Sequence, residues 1–119
     1  LPGNEGPALP FVPVANYLSG VTAAITDTTT TSVIAAQGAG YSIHVTTIVV
    51  ANSHATVSTI VEIKDGTTVI MRVPAAAVNG GAVVDLPIPL RLTANTALQA
   101  ACLTTGSNVY GSAVGYKGA

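Results

Sequence analysis

Apolar residues recur at every second position through most of this chain, and no stretch carries the three- and four-residue spacing of a convincing helix face. Val57, Thr59, Val61 and Ile63 alternate with Ser58, Glu62 and Lys64, which predicts a strand over 57–64 with one face buried. Similar runs predict strands at 21–26, 29–36, 41–51, 67–73, 82–86, 90–92, 97–103 and 109–116. In the last of these, Tyr110, Ser112, Val114 and Tyr116 share one face, and Gly111, Ala113 and Gly115 leave the other nearly flat.

Turn chemistry punctuates these runs. Lys64-Asp65-Gly66-Thr67 is the strongest local signal: Asp-Gly between two alternating segments predicts a tight hairpin, with Asp tolerating and Gly favouring positive φ. Gln37 to Gly40, Asn52 to Ala55, Asn79-Gly80-Gly81 and Thr104 to Asn108 mark further breaks. Ala75 to Val78 is expected to form one short helical turn after Pro74. Pro87 and Pro89 place their segment at a sheet edge or at a crossing between sheets. Eight or nine short strands spaced in this way predict an all-β, antiparallel β-sandwich of jelly-roll type.

Residues 1–20 break the pattern. They hold Pro2, Pro7, Pro10 and Pro13, which donate no amide hydrogen and bias their neighbours toward extended backbone. We expect an extended Pro-rich N-terminal arm over 1–20 and a sandwich domain over 21–119. Leu9, Pro10, Phe11, Val12, Pro13, Val14, Tyr17 and Leu18 are too apolar for a solvated tail: the segment either straps over its own domain's core or docks on a neighbour, and on the second reading these residues are the candidate intersubunit or capsid contacts.

Composition sharpens this. Hydrophobic residues make up 49% of the 119 positions and charged residues 8%, against roughly 25% charged in an ordinary domain. A surface with so little charge does not repel copies of itself, which suits a building part of an assembly. The four basic residues, Lys64, Arg72, Arg91 and Lys117, are scattered and the net charge is −1, so neither nucleic acid nor an anionic membrane surface is an expected partner. No apolar run approaches the roughly 18 to 20 residues that span a bilayer as a helix, and no basic segment followed by an apolar core opens the chain. Cys102 is the single cysteine, so no intrachain disulfide forms; its alternation with Leu98 and Ala100 marks it as buried.

Candidate chemistry is sparse. His44 and His54 lie ten residues apart with no carboxylate or thiol at ligand spacing, and no cofactor or metal is expected. Ser53 or Cys102 with either histidine and Asp27 or Asp85 makes a triad only on paper, and no Gly-x-Ser-x-Gly elbow is present. Glu62 and Asp65 are explained by their strand face and their turn, and Asn79-Gly80-Gly81 lacks the lysine and helix of a phosphate loop. An enzyme is therefore not expected. Tyr110 and Tyr116 are the candidates for a sugar-stacking platform, the basis of an alternative reading as a carbohydrate-binding module.

The run VTTIVVANSHATVSTIVEIKDGTTVI over 45–70, the Pro87-Ile88-Pro89-Leu90 bend, the Thr93-Ala94-Asn95-Thr96 turn and the closing Val114-Gly115-Tyr116 resemble small β-sandwich virion proteins of tailed bacteriophages, the head decoration or cementing type. The resemblance covers about residues 41 to 117, and related modules occur in phage tails and fibres. It implies a jelly-roll-like homo-oligomer, dimer or trimer, assembled in the host cytoplasm. Such a protein binds the major capsid protein on the capsid exterior of the virion, bridging neighbouring capsomers. Residues 1–40 carry no part of this resemblance.

Overall fold

The computed structural model describes residues 16–119, and every strand in them is antiparallel to its neighbours. Eight strands occur: β1 (Tyr17–Val21), β2 (Thr31–Ile34), β3 (Ser42–Asn52), β4 (Thr59–Asp65), β5 (Thr68–Ala75), β6 (Gly80–Arg91), β7 (Leu98–Cys102) and β8 (Val109–Gly118). They form two four-stranded sheets, ordered β1-β8-β3-β6 (sheet A) and β2-β7-β4-β5 (sheet B). Among the described residues there is no α-helix.

The strand orders have a simple origin. Only β4 and β5 are consecutive partners; around their turn, β3 pairs with β6, β2 with β7 and β1 with β8. The chain is thus one long ribbon doubled back at Gly66–Thr67 and rolled so that alternate strand pairs fall in opposite sheets. Gly66 takes φ 62° at the first loop position and Asp65 remains in its strand opposite Thr68. A Cβ on Gly66 would sit 2.8 Å from Thr96 Cγ2. The hairpin forms one residue later than the Lys64–Thr67 turn expected from sequence, with Gly66-Thr67 and not Asp65-Gly66 as its loop, and the positive φ belongs to Gly66, as in a type II′ loop. The Asp65 carboxylate instead accepts hydrogen bonds from the Thr93 hydroxyl (2.8 Å) and amide (3.1 Å), tying the hairpin to the 93–96 turn.

The core lies between the inner faces. Ile43, Val45, Ile48 and Val50 of β3, Val61 and Ile63 of β4, Leu98, Ala100 and Cys102 of β7, and Val109 and Ala113 of β8 are all buried. The expected alternation holds from Thr59 onward, with Thr59, Val61 and Ile63 inward, while Val57 and Ser58 belong to the loop before β4, which runs to Asp65. On β3 an extra residue, Thr46, lets His44 and Thr47 both face outward while Val45 and Ile48 face in.

Three expectations shift. The first strand is Tyr17–Val21, not 21–26, so the last four residues of the expected arm belong to sheet A, where Leu18 packs on the core. Apolar alternation through Tyr17, Leu18, Ser19, Gly20 and Val21 is masked by Gly20, whose lack of a side chain is what lets β1 approach β2: a Cβ there would overlap the Val33 carbonyl oxygen. Beyond Val21 the chain stays tied to β8 by Thr22, which exchanges hydrogen bonds with Gly111, and by an isolated bridge from Ile25 to Val109. The helical turn expected at Ala75–Val78 is absent: Ala75 ends β5, and Val78 and Asn79 both take φ 63° in a left-handed turn. Finally, 82–86 and 90–92 are one edge strand, β6, from which residues 86–89 bulge opposite Thr46. The two prolines sit in that bulge on the edge, where their missing amides cost no ladder bond.

Candidate functional site

Sheet A presents its outer face as four rows running across the strands. Tyr17, Tyr116, His44 and Arg91 form one row, and Ser19, Val114, Thr47 and Asp85 the next. Val21, Ser112, Val49 and Val83 form the third, and Tyr110, Ala51 and Gly81 the last. Charge is confined to the first two rows. Beyond the Asp85 row the face is uncharged, and its large side chains are open to solvent, with Val21 76% exposed, Val83 64% and Tyr110 nearly half, as is Val114 in the Asp85 row itself. Ile88, 84% exposed, stands out from the β6 bulge at the same sheet's edge. A contiguous apolar surface of this kind on a small domain marks an interaction site more often than an accident of composition.

The first row has its own chemistry. The His44 and Tyr116 rings stack in parallel, 4.8 Å between centroids and 4° between planes. Partial burial, and next the neighbouring Arg91 guanidinium, hold the His44 imidazole below its ordinary pKa of 6.5, against a hydrogen bond to the Ala119 backbone that acts the other way. Beside them the Lys117 ammonium lies 5.3 Å from the centre of the Tyr41 ring.

Sheet B carries a second feature. Leu103, just past the end of β7, is aligned with Ile60 of β4 and Pro74 of β5 on the sheet's outer face: Ile60 pairs with Pro74, and the Leu103 amide donates to the Ile60 carbonyl at 3.0 Å. With Ser58, Ala76 and Thr104 they line an open groove of about 390 Å³. Ile60 and Leu103 are roughly half exposed within it. One row along, Arg72 and Glu62 form an ion pair at 3.1 Å.

Behind the groove, Asn52 is completely buried and uses all four of its hydrogen-bonding positions. Its Nδ2 donates to the carbonyls of Val57 (2.7 Å) and Ala75 (3.1 Å), and its Oδ1 accepts from the amides of His54 (3.1 Å) and Asn108 (3.2 Å). His54 Nδ1 accepts from the amides of Thr56 and Val57, which closes the 52–57 loop. The buried hydroxyls of Ser42 and Ser107 have no hydrogen-bond partner among the described residues.

The residues singled out from sequence are distributed as follows. Tyr17 faces outward in the first row of sheet A and Leu18 faces the core; Leu9, Pro10, Phe11, Val12, Pro13 and Val14 lie outside the described residues. Tyr110 and Tyr116 do share the outer face of β8, but six residues separate them, roughly 20 Å along the strand, too far for one sugar ring to bridge. One face of Tyr116 is already covered by His44. His44 points out of sheet A while Cys102 points into the core from sheet B, and burial pushes the Cys102 thiol pKa up. Asp27 accepts from the Thr29 amide and Asp85 from the Thr47 hydroxyl. Among the described residues no three of His, Cys, Asp and Glu gather at metal-binding distance, and no helix is long and apolar enough to cross a membrane. The outer rows and the groove were missed from sequence, because both are made by register between strands far apart in the chain. Their only linear signal is an apolar residue at an outward position, as at Ile60, Val83 and Val114.

No protein-family model, curated protein or solved structure matches the chain.

Proposed function

We propose that this protein is a non-enzymatic structural component of a virion, which decorates and cements the outside of a tailed-bacteriophage capsid as a homo-oligomer. The observation that carries the proposal is the outer face of sheet A, uncharged beyond Asp85 and studded with exposed valines, in a chain where only nine residues are charged. Such a face is a poor solvent surface and a good lattice contact. Repeated weak contacts on a closed shell reinforce one another through effective concentration, so each copy can use a modest, neutral interface. The strand orders β1-β8-β3-β6 and β2-β7-β4-β5 support a jelly-roll reading, since a doubled ribbon rolled into two sheets has this arrangement. The resemblance of residues 41–117 to decoration proteins points the same way. On this reading the partners are the major capsid protein and further copies of the chain, and the N-terminal residues 9–14 contribute to contact between subunits.

The test is to mix the purified protein with expanded heads of the phage that encodes it and to count bound copies per capsomer. Saturable, stoichiometric binding is expected, with at least a tenfold loss of affinity in a Val83→Asp, Val114→Asp variant that remains folded. A protein that ignores heads but binds tails would reassign it to a tail or fibre. One that ignores both and binds a glycan array would restore the carbohydrate reading.

A further inference from the structure

We infer that the groove on sheet B receives the Leu9–Val14 segment of a neighbouring copy, so that each subunit holds the next by its N-terminal residues. The inference deepens the self-assembly half of the function proposed above and does not depend on a capsid.

The argument is one of reach. The N-terminal segment joins the fold at Tyr17, in the first row of sheet A, level with His44 of β3. The groove lies at the other end of the sandwich: it is lined by residues adjoining Thr59 and Ala75, and Ala75 is hydrogen-bonded to Asn52 at the far end of β3. His44 to Asn52, less one bulged residue, is about 23 Å along the strands, and the sheets stand about 10 Å apart. The groove is also on the outer face of the opposite sheet. Phe11 is six residues before Tyr17, a fully extended span of about 22 Å at most, and the path must run around the domain rather than through its core. Phe11 therefore cannot reach its own groove. In a second copy placed beside the first, no such limit applies.

The chemistry of the two parts matches. Leu9-Pro10-Phe11-Val12-Pro13-Val14 has no charge and no polar side chain, and neither has the Leu103, Ile60, Pro74 row. Pro10 and Pro13 supply no amide hydrogen, so the segment is ill suited to extending a sheet as an added strand. It is well suited to docking by its side chains, and the groove, lined by Leu103, Ile60 and Pro74, is a mainly apolar recess open to a phenyl ring. Because the segment precedes β1 of sheet A and the groove is on sheet B, the proposed contact joins unlike parts of the chain, which closes either by reciprocal exchange in a dimer or around a ring.

The chain contains no tryptophan, so Phe11→Trp installs a single reporter in the full-length protein. Fluorescence and sedimentation are followed through a dilution series without capsids. The expected result is a blue-shifted emission that reddens as the oligomer dissociates, together with a monomeric mass for the chain lacking residues 1–15. Adding Leu103→Asp should raise the dissociation constant more than tenfold and expose the tryptophan. Circular dichroism checks that this variant is folded, and Leu103→Ala serves in its place if it is not. The inference is overturned if the full chain is monomeric throughout the series or if deleting residues 1–15 leaves the oligomer intact. It also falls if the emission stays blue after the groove is altered. Loss of capsid binding with the oligomer retained would instead count against the decoration role alone.

Discussion

At the scale of single residues, Asn52 is the polar group on which most of the structure converges. It joins the end of β3, the 52–57 loop, the end of β5 and the start of β8 through four hydrogen bonds in a site without solvent. Removing the side chain takes the partner from two amides and two carbonyls, of which the Ala75 carbonyl bond is buried and the other three are partly buried, and a buried unsatisfied group costs about 1 to 3 kcal/mol. Asn52→Ala is expected to lower the unfolding free energy by about 3 kcal/mol in urea titration, with an unchanged dependence on denaturant; a loss below about 1 kcal/mol would mean that water replaces the amide. Val78 behaves differently. A β-branched residue at φ 63° is strained, yet its amide is fixed to the His54 carbonyl at 2.7 Å and its side chain is 70% exposed. The turn is held from outside, and nothing in the local sequence Ala75 to Val78 signals it, which is why a helical turn was expected there.

At the scale of elements, legibility followed periodicity. The strands β3, β4, β7 and β8 were readable because each has a mainly apolar inner face, with polar residues such as Thr59 and Asn52 at the strand ends; Val61, Ile63, Leu98 and Cys102 are buried as their alternation requires. β1 was not, since Gly20 interrupts its inner face and the prolines before it suggest an arm. The rows of sheet A were invisible for another reason: Tyr17, His44, Arg91 and Tyr116 become neighbours only through register. That row predicts a pH dependence. His44 has its pKa depressed in the folded state by burial and by Arg91, so the unfolded chain binds its proton more readily. Stability from this source is present above the ordinary histidine pKa of 6.5 and declines as pH falls through 6.5 toward the depressed folded value. Unfolding free energies measured between pH 7.5 and 5 should fall in the wild type and fall less in His44→Gln. Parallel curves would remove His44 from the account.

At the scale of the whole molecule, the boundary between arm and domain becomes a mutational one. Deleting residues 1–15 is expected to leave cooperative thermal unfolding close to that of the full chain, because both sheets stay complete from Tyr17 onward. Deleting through Val21 removes β1, uncovers the edge of β8 and exposes the core beneath Leu18, so that variant should unfold well below the other or fail to fold. Equal melting temperatures would show that β1 is dispensable and return residues 17–20 to the arm.

The doubled ribbon also carries an order of assembly in time. The β4-β5 hairpin closes across two loop residues, whereas Tyr17 meets Tyr116 only after nearly the whole described chain has been gathered. Loop closure costs entropy that rises with separation, and folds dominated by distant pairings form slowly. The ribbon is thus expected to zip outward from Gly66, with β1 arriving last. The strand that bears the N-terminal segment is then also the latch of the sandwich, and a subunit can offer that segment in its final place only once the rest of its fold is complete.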